Sequence, residues 1–179
     1  QPGEQDFGGQ VTANVDLTTV FDVGADQPGT FQFASGAVDA LDALGLTSDQ
    51  VAITHALVGD TITGSAGGND IYTIQVTAGG TLTVTLLDQI DHVDDPDDEE
   101  TNLSINLGAL IEVVDEDGDA LSAGATDIVF KIGDDIPVIV GEPVTLQVDE
   151  DGLADGNTDS AQPGEQDFGG QVTANVDLT

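Results

Sequence analysis

Residues 1–18, QPGEQDFGGQVTANVDLT, return unchanged as residues 162–179. Chance does not produce an identical run of that length, so the chain carries an internal repeat with a period of 161 residues. Repeats of solenoid type are about 20–50 residues long, and a period this large is a whole domain. The expected organisation is most of one repeat over residues 1–143 and the start of the next over 144–179. The chain opens on Gln rather than Met, so it is expected to be a piece of a longer array whose ends need not fall on domain edges.

Within the period the apolar residues alternate. Val11, Ala13, Val15 and Leu17 share one face of a strand over 10–17, and Phe31 and Phe33 share one over 30–34. Residues 51–57 alternate through Val51, Ile53, His55 and Leu57. Tyr72, Ile74 and Val76 are answered across the Ala78-Gly79-Gly80 turn by Leu82, Val84 and Leu86, which predicts a hairpin. Gly67-Gly68-Asn69-Asp70 reads as another hairpin connection. Short strands follow at 103–107, 110–114 and 125–132, the last alternating on Ile128, Phe130 and Ile132. Residues 136–140 contain Pro137 and read as an edge or linker, and 144–148 alternate on Val144, Leu146 and Val148. Only 37–44 breaks the pattern. Val38, Leu41 and Leu44 recur at helical spacing, with Ser35 as candidate N-cap and Gly45 as the stop. Many short strands, turn signals between them and one short helix predict an all-β antiparallel sandwich. With no Trp and one Tyr its core must be aliphatic.

Charge narrows the chemistry. One Lys, no Arg and 35 acidic residues give a net charge of −34. Such a chain cannot pair phosphates, which argues against nucleic acid and against direct membrane binding. The absence of Cys removes disulfides and zinc-thiolate sites, and no apolar run approaches the ~18 residues of a membrane span. Two carboxylates about 4 Å apart repel by about 1 kcal/mol in water and about 4 kcal/mol near a protein surface. Clustered Asp in a folded domain therefore calls for cations, and with one Lys these must come from solvent.

Asp115-Glu116-Asp117-Gly118-Asp119 is the sharpest motif. Carboxylates at alternate positions, with a Gly that lets the backbone turn, match the opening of a calcium-binding loop. An EF-hand would need Glu at its twelfth position, where Thr126 stands, so this is not an EF-hand. The alternative is an ordinary acidic hairpin turn. Asp134 and Asp135 precede Pro137, and Asp149, Glu150 and Asp151 follow Val148; paired acids on both sides of a linker are what a calcium clamp requires. Asp149 to Asp151 with Asp155 and Asn157 could also hold an ion alone, and Asp22 and Asp26 are further candidate donors. Residues 88–100, with eight carboxylates in thirteen residues, read as an acidic loop, and the run 94–100 within it reads as solvated rather than as an ion site. His55 and His92, without Cys, read as packed or surface histidines. No nucleophile triad, phosphate loop or dinucleotide fingerprint is present, so no enzyme activity is expected.

Several stretches together resemble a known family. Tyr72-Thr73-Ile74, the run from Thr81 to Asp88, Ile90-Asp91-His92, Val114 to Asp119, Asp134-Asp135-Ile136-Pro137 and Val148-Asp149-Glu150 occur in this order. They resemble the tandem repeats of giant RTX adhesins, the type I secretion targets of Gram-negative bacteria. Glu116 stands where the common pattern has Ala. The resemblance implies an immunoglobulin-like extender module that binds calcium and is stacked in many copies on the cell surface. It also implies secretion through a C-terminal signal. The expected function is thus a calcium-stabilised spacer holding distal ligand-binding regions away from the cell, with identical neighbouring repeats and calcium ions as its partners. The rival reading is a module that itself binds a glycan, a protein or ice. Binding surfaces favour Trp, Tyr and Arg as anchors, and this chain has one Tyr and neither of the others.

Overall fold

The computed structural model describes residues 9–25, 27–92, 103–134, 143–149, 153–154 and 173–174. The chain divides into two compact units, Gln1–Ile136 and Pro137–Thr179.

In the first unit the described strands are β1 (Thr12–Asp16), β2 (Thr30–Phe33), β3 (Thr47–Ser48), β4 (Val51–Ala52), β5 (Thr54–Val58), β6 (Thr61–Ala66), β7 (Asn69–Val76), β8 (Thr81–Leu86), β9 (Leu103–Asn106), β10 (Ile111–Val114), β11 (Ala120–Ser122) and β12 (Val129–Ile132). One α-helix, α1 (Ala37–Asp42), interrupts them. All pairings are antiparallel. A five-stranded sheet has the order β1-β8-β7-β6-β5, a three-stranded sheet β11-β10-β2, and β12-β9 and β3-β4 are separate pairs. The all-β sandwich with one short helix holds, and its main sheet is a four-strand meander with β1 added at the edge.

Period-two alternation produces the core. Ile62 of β6, Tyr72, Ile74 and Val76 of β7, and Leu82 and Val84 of β8 are buried. They join Phe31 of β2, Ile111 and Val113 of β10, Ile105 of β9, Ile132 of β12 and Leu41 of α1 in one apolar cluster. Truncating a fully buried member such as Leu41 or Ile74 to Ala costs about 2–5 kcal/mol. Gly64 makes room for the largest member. A Cβ there would lie 3.0 Å from Tyr72 Cε1 and 3.1 Å from Ile53 Cγ2, so the ring packs where β6 has no side chain.

Several expectations are corrected. The alternating run 51–57 is two strands, because β4 pairs with β3 while β5 pairs with β6. Alternation reports burial and cannot report a change of partner. Ser35 is not the N-cap of α1; Gly36, at φ +87°, holds that position with no side-chain cap. β6 has a weak apolar signature because its inward residues include Gly64 and Ala66, and all of β11 is exposed. Residues 125–128 precede the last strand, which begins only at Val129. The hairpin β3–β4 turns through Asp49 and Gln50, both at positive φ without a glycine. The Asp88–His92 stretch supports that turn: Gln50 N–H donates to Asp91 Oδ2 at 2.8 Å, and Asp91 N–H to Thr47 O at 2.8 Å.

In the second unit, described residues 143–149 form no strand, and Val144, Leu146 and Val148 are exposed. Their alternation has no ladder beside it among the described residues, and a strand exists only through its pairing. The expected segment 136–140 lies outside the described residues.

Candidate metal centre

The hairpin β10–β11 builds the acidic turn. Val114 pairs with Ala120, so residues 115–119 make the whole connection. Asp115 N–H donates to Asp119 O at 3.1 Å and closes the loop. Gly118, at φ +99°, supplies the left-handed step that reverses the chain. Asp115 Oδ1 accepts from Gly118 N–H at 3.0 Å and from Asp119 N–H at 2.8 Å, which aims its carboxylate across the turn. As a result, ligand oxygens of Asp115, Asp117 and Asp119 all lie within 4.8 Å of one another. Asp115 is half-buried and the other two are exposed.

The turn is electrostatically crowded. A hydrogen bond with Asp117, followed by backbone amides of the loop, holds the Asp115 carboxyl below the usual aspartate value. The same hydrogen bond, and then the charge of Asp115, push Asp117 up. Of the two, Asp117 is thus the carboxyl that gives up its proton later as pH rises, and once both are ionised they repel. These three residues could hold a metal ion. A carboxylate-only donor set in a tight turn suits a hard cation, which would offset the repulsion between the carboxylates.

The other polar cluster lies inside the fold, and the sequence singled out only its histidine. The His55 side chain is fully buried. Its Nδ1 meets Asp42 Oδ1 at 2.7 Å, its backbone N–H donates to the same oxygen at 2.9 Å, and its Nε2 meets the Tyr72 hydroxyl at 2.5 Å. A carboxylate can only accept, so Nδ1 carries the hydrogen towards Asp42, and Nε2 is left to pair with the phenol hydroxyl. Asp42 is held below the usual aspartate value chiefly by the His55 hydrogen bond. Burial, and secondarily the Asp42 charge, push the Tyr72 hydroxyl well above its usual range. The chain α1–β5–β7 is thereby tied together by groups that satisfy one another. The alternation places Tyr72 on the apolar face of its strand with Ile74 and Val76; nothing in the spacing of Asp42, His55 and Tyr72 reveals that they meet.

Residues 3–129 match the family model described as Domain of unknown function (DUF5801). The chain belongs to that family. The match takes in both the acidic turn and the Asp42–His55–Tyr72 cluster, and it stops short of the second unit. No curated protein and no solved structure matches this chain.

Around this DUF5801 domain the other candidate ligands are placed as follows. Asp134 and Asp149 are described, and among the described residues neither belongs to a group of three or more potential ligands. Asp22 spends an oxygen on its own turn, accepting from Gly24 N–H at 2.9 Å. Asp26, Asp135, Glu150, Asp151, Asp155 and Asn157 lie outside the described residues. No helix among the described residues is long and apolar enough to cross a membrane.

Proposed function

We propose that this chain is a calcium-stabilised structural extender repeat of a bacterial surface adhesin, exported by type I secretion and working outside the cell as a spacer. The observation that carries the reading is the turn in which Asp115, Asp117 and Asp119 converge within 4.8 Å. Calcium takes about six to eight oxygens, and three carboxylates, backbone carbonyls and water can supply them at an exposed turn. The residues' own part is positional. The amides of Gly118 and Asp119 fix Asp115, and the hairpin ladder fixes the separation of the loop's two ends. A bound dication removes the Asp115–Asp117 repulsion and holds the connection between β10 and β11 rigid.

The extender role is supported by the exact return of 18 residues after one domain-sized period. Identical copies add length without adding a new recognition surface. With 35 acids against one Lys, rigidity by internal ion pairing is not open to this chain, and calcium outside a cell is abundant enough to serve instead. Extracellular modules bind calcium at about 0.1–1 mM. The test is scanning calorimetry of the full chain in chelator, in millimolar calcium and in millimolar magnesium. A rise in Tm with calcium and a poor response to magnesium are expected. Superimposable curves in all three would end the calcium reading.

A further inference from the structure

We infer that the groove beside β8 is a strand acceptor, able to take residues 172–178 of a second copy of this chain in place of β1. β1 is the edge strand of the main sheet, next to β8 alone. Its ladder runs from Thr12↔Thr85 to Asp16↔Thr81, extended by Leu86 N–H to Val11 O at 2.8 Å and Leu17 N–H to Gly80 O at 2.7 Å. Its side chains hold it weakly. Thr12, Ala13, Asn14 and Asp16 are exposed and Val15 is half-buried, while the following Leu17 is fully buried. The strands β5 to β8 form a continuous meander without it.

Release of β1 therefore breaks one ladder and withdraws one anchoring leucine. It leaves on β8 a row of unpaired amides and carbonyls beside a leucine-sized hole, an edge that demands a strand. Residues 172–178, VTANVDL, are identical to 11–17 and meet that demand in full. Asp177, Leu178 and Thr179 repeat the residues of the local turn in which Asp16 Oδ1 accepts from Thr18 N–H at 3.0 Å. Exchange rebuilds on β8 each contact that β1 makes there, so on the acceptor side tethering is what separates the two strands. A covalently attached strand competes at an effective concentration of about millimolar or above. The second copy gains as molecules are crowded towards that level and as salt screens their charge of −34. Donor and acceptor are different parts of the chain, so the contact is heterologous and joins molecules head to tail.

The chain has no cysteine, which permits a clean test. Hydrogen bonds at Val11 and Leu17 place the close, non-hydrogen-bonded pairs at Thr12↔Thr85 and Asn14↔Thr83. Such pairs have Cα atoms about 4.5 Å apart, within disulfide reach. The corresponding donor positions are Thr173 and Asn175. Full-length single-cysteine variants are mixed in pairs at high concentration under mild oxidation, so that every heterodimer reports contact between molecules. The in-register mixtures are Asn175→Cys with Thr83→Cys and Thr173→Cys with Thr85→Cys. The crossed mixtures are Asn175→Cys with Thr85→Cys and Thr173→Cys with Thr83→Cys. In-register heterodimers are expected to form at least about tenfold faster than crossed ones, because a two-residue shift separates the thiols along the strand. Equal rates for in-register and crossed pairs, or no heterodimer in any mixture, would overturn the proposal. The use of two in-register pairs keeps the test decisive if one substitution disturbs the fold.

Discussion

The acidic turn at 115–119 and the Asp42–His55–Tyr72 cluster treat an aspartate in opposite ways. Asp42 is 43% exposed at its side chain, yet it is matched by two donors from one residue, and that residue is matched in turn by a buried phenol. Asp115 also receives two amide donors, but its nearest acid is another aspartate. The first site is complete within the chain; the second, on the reading proposed above, is completed by a cation. Removing a partner should hurt the first site under all conditions, whereas the second should respond to what the solvent contains.

The largest expected effect is on the complete site. His55→Ala leaves the buried Tyr72 hydroxyl without its hydrogen-bond partner and opens a void between β5 and β7. A loss of about 2–4 kcal/mol is expected, measured by denaturant unfolding. The loss should be the same with calcium and with chelator. Tyr72→Phe should cost less, about 1–3 kcal/mol, because it strips one hydrogen bond while keeping the ring.

Calcium should come next. At a hundredfold excess over its dissociation constant, a single site should raise Tm by about 5–10 °C in a chain of this length. Asp115→Asn with Asp119→Asn should abolish the rise, and His55→Ala should retain it. Dependence of the calcium increment on His55 would mean that the two regions are coupled and the contrast between them is false.

What the sequence revealed divides along the same line. The acidic turn was legible because its chemistry is local: five consecutive residues carry the carboxylates and the glycine, and a hairpin brings them together without help. The strands of the β7–β8 hairpin were legible because both their turn and their apolar faces are local signals. The cluster was not, because Asp42 comes from the last turn of α1 and its partners from two strands that are not sheet neighbours. Likewise β11 was hidden by its exposure and β6 by its small inward residues. One alternating run over 51–57 concealed a change of sheet at Ile53, whose N–H donates to Leu46 O at 2.8 Å. Pattern reading recovers what a segment does with its neighbours in sequence, and fails where the partner is chosen by the fold.

Acid should produce a smaller, graded change. Asp42 titrates below the ordinary aspartate value of 3.8 because of His55. A carboxyl depressed in the native state contributes stability that is complete above the unfolded value and is lost as pH falls through the native one. Asp16, held down by Thr18, Asp60 by Thr61 and Asp91 by Thr47 act in the same direction. Tm should therefore fall as pH drops below 3.8, and Asp42→Asn should remove part of that fall. An identical acid profile for Asp42→Asn would mean that the His55 contact does not distinguish folded from unfolded states.

The finest separation of the two regions comes from Asp117→Asn. Asp117 is raised by its hydrogen bond with Asp115 and then by that neighbour's charge. For a carboxyl raised in the native state the sign reverses: its contribution is present below the unfolded value and is lost as pH rises through the native one. Metal-free protein above the native value has lost that contribution and carries the repulsion. An amide at position 117 removes the charge and can still donate to Asp115, so the variant in chelator should melt about 1–2 °C above the parent. In calcium the order should invert, because the amide offers the ion a weaker oxygen. Crossing of the two melting temperatures on adding calcium is the expected result, measured by calorimetry on both proteins in both buffers. A variant that melts below its parent in chelator would show that Asp117 has a stabilising partner already, and the acidic turn would then belong with the complete site.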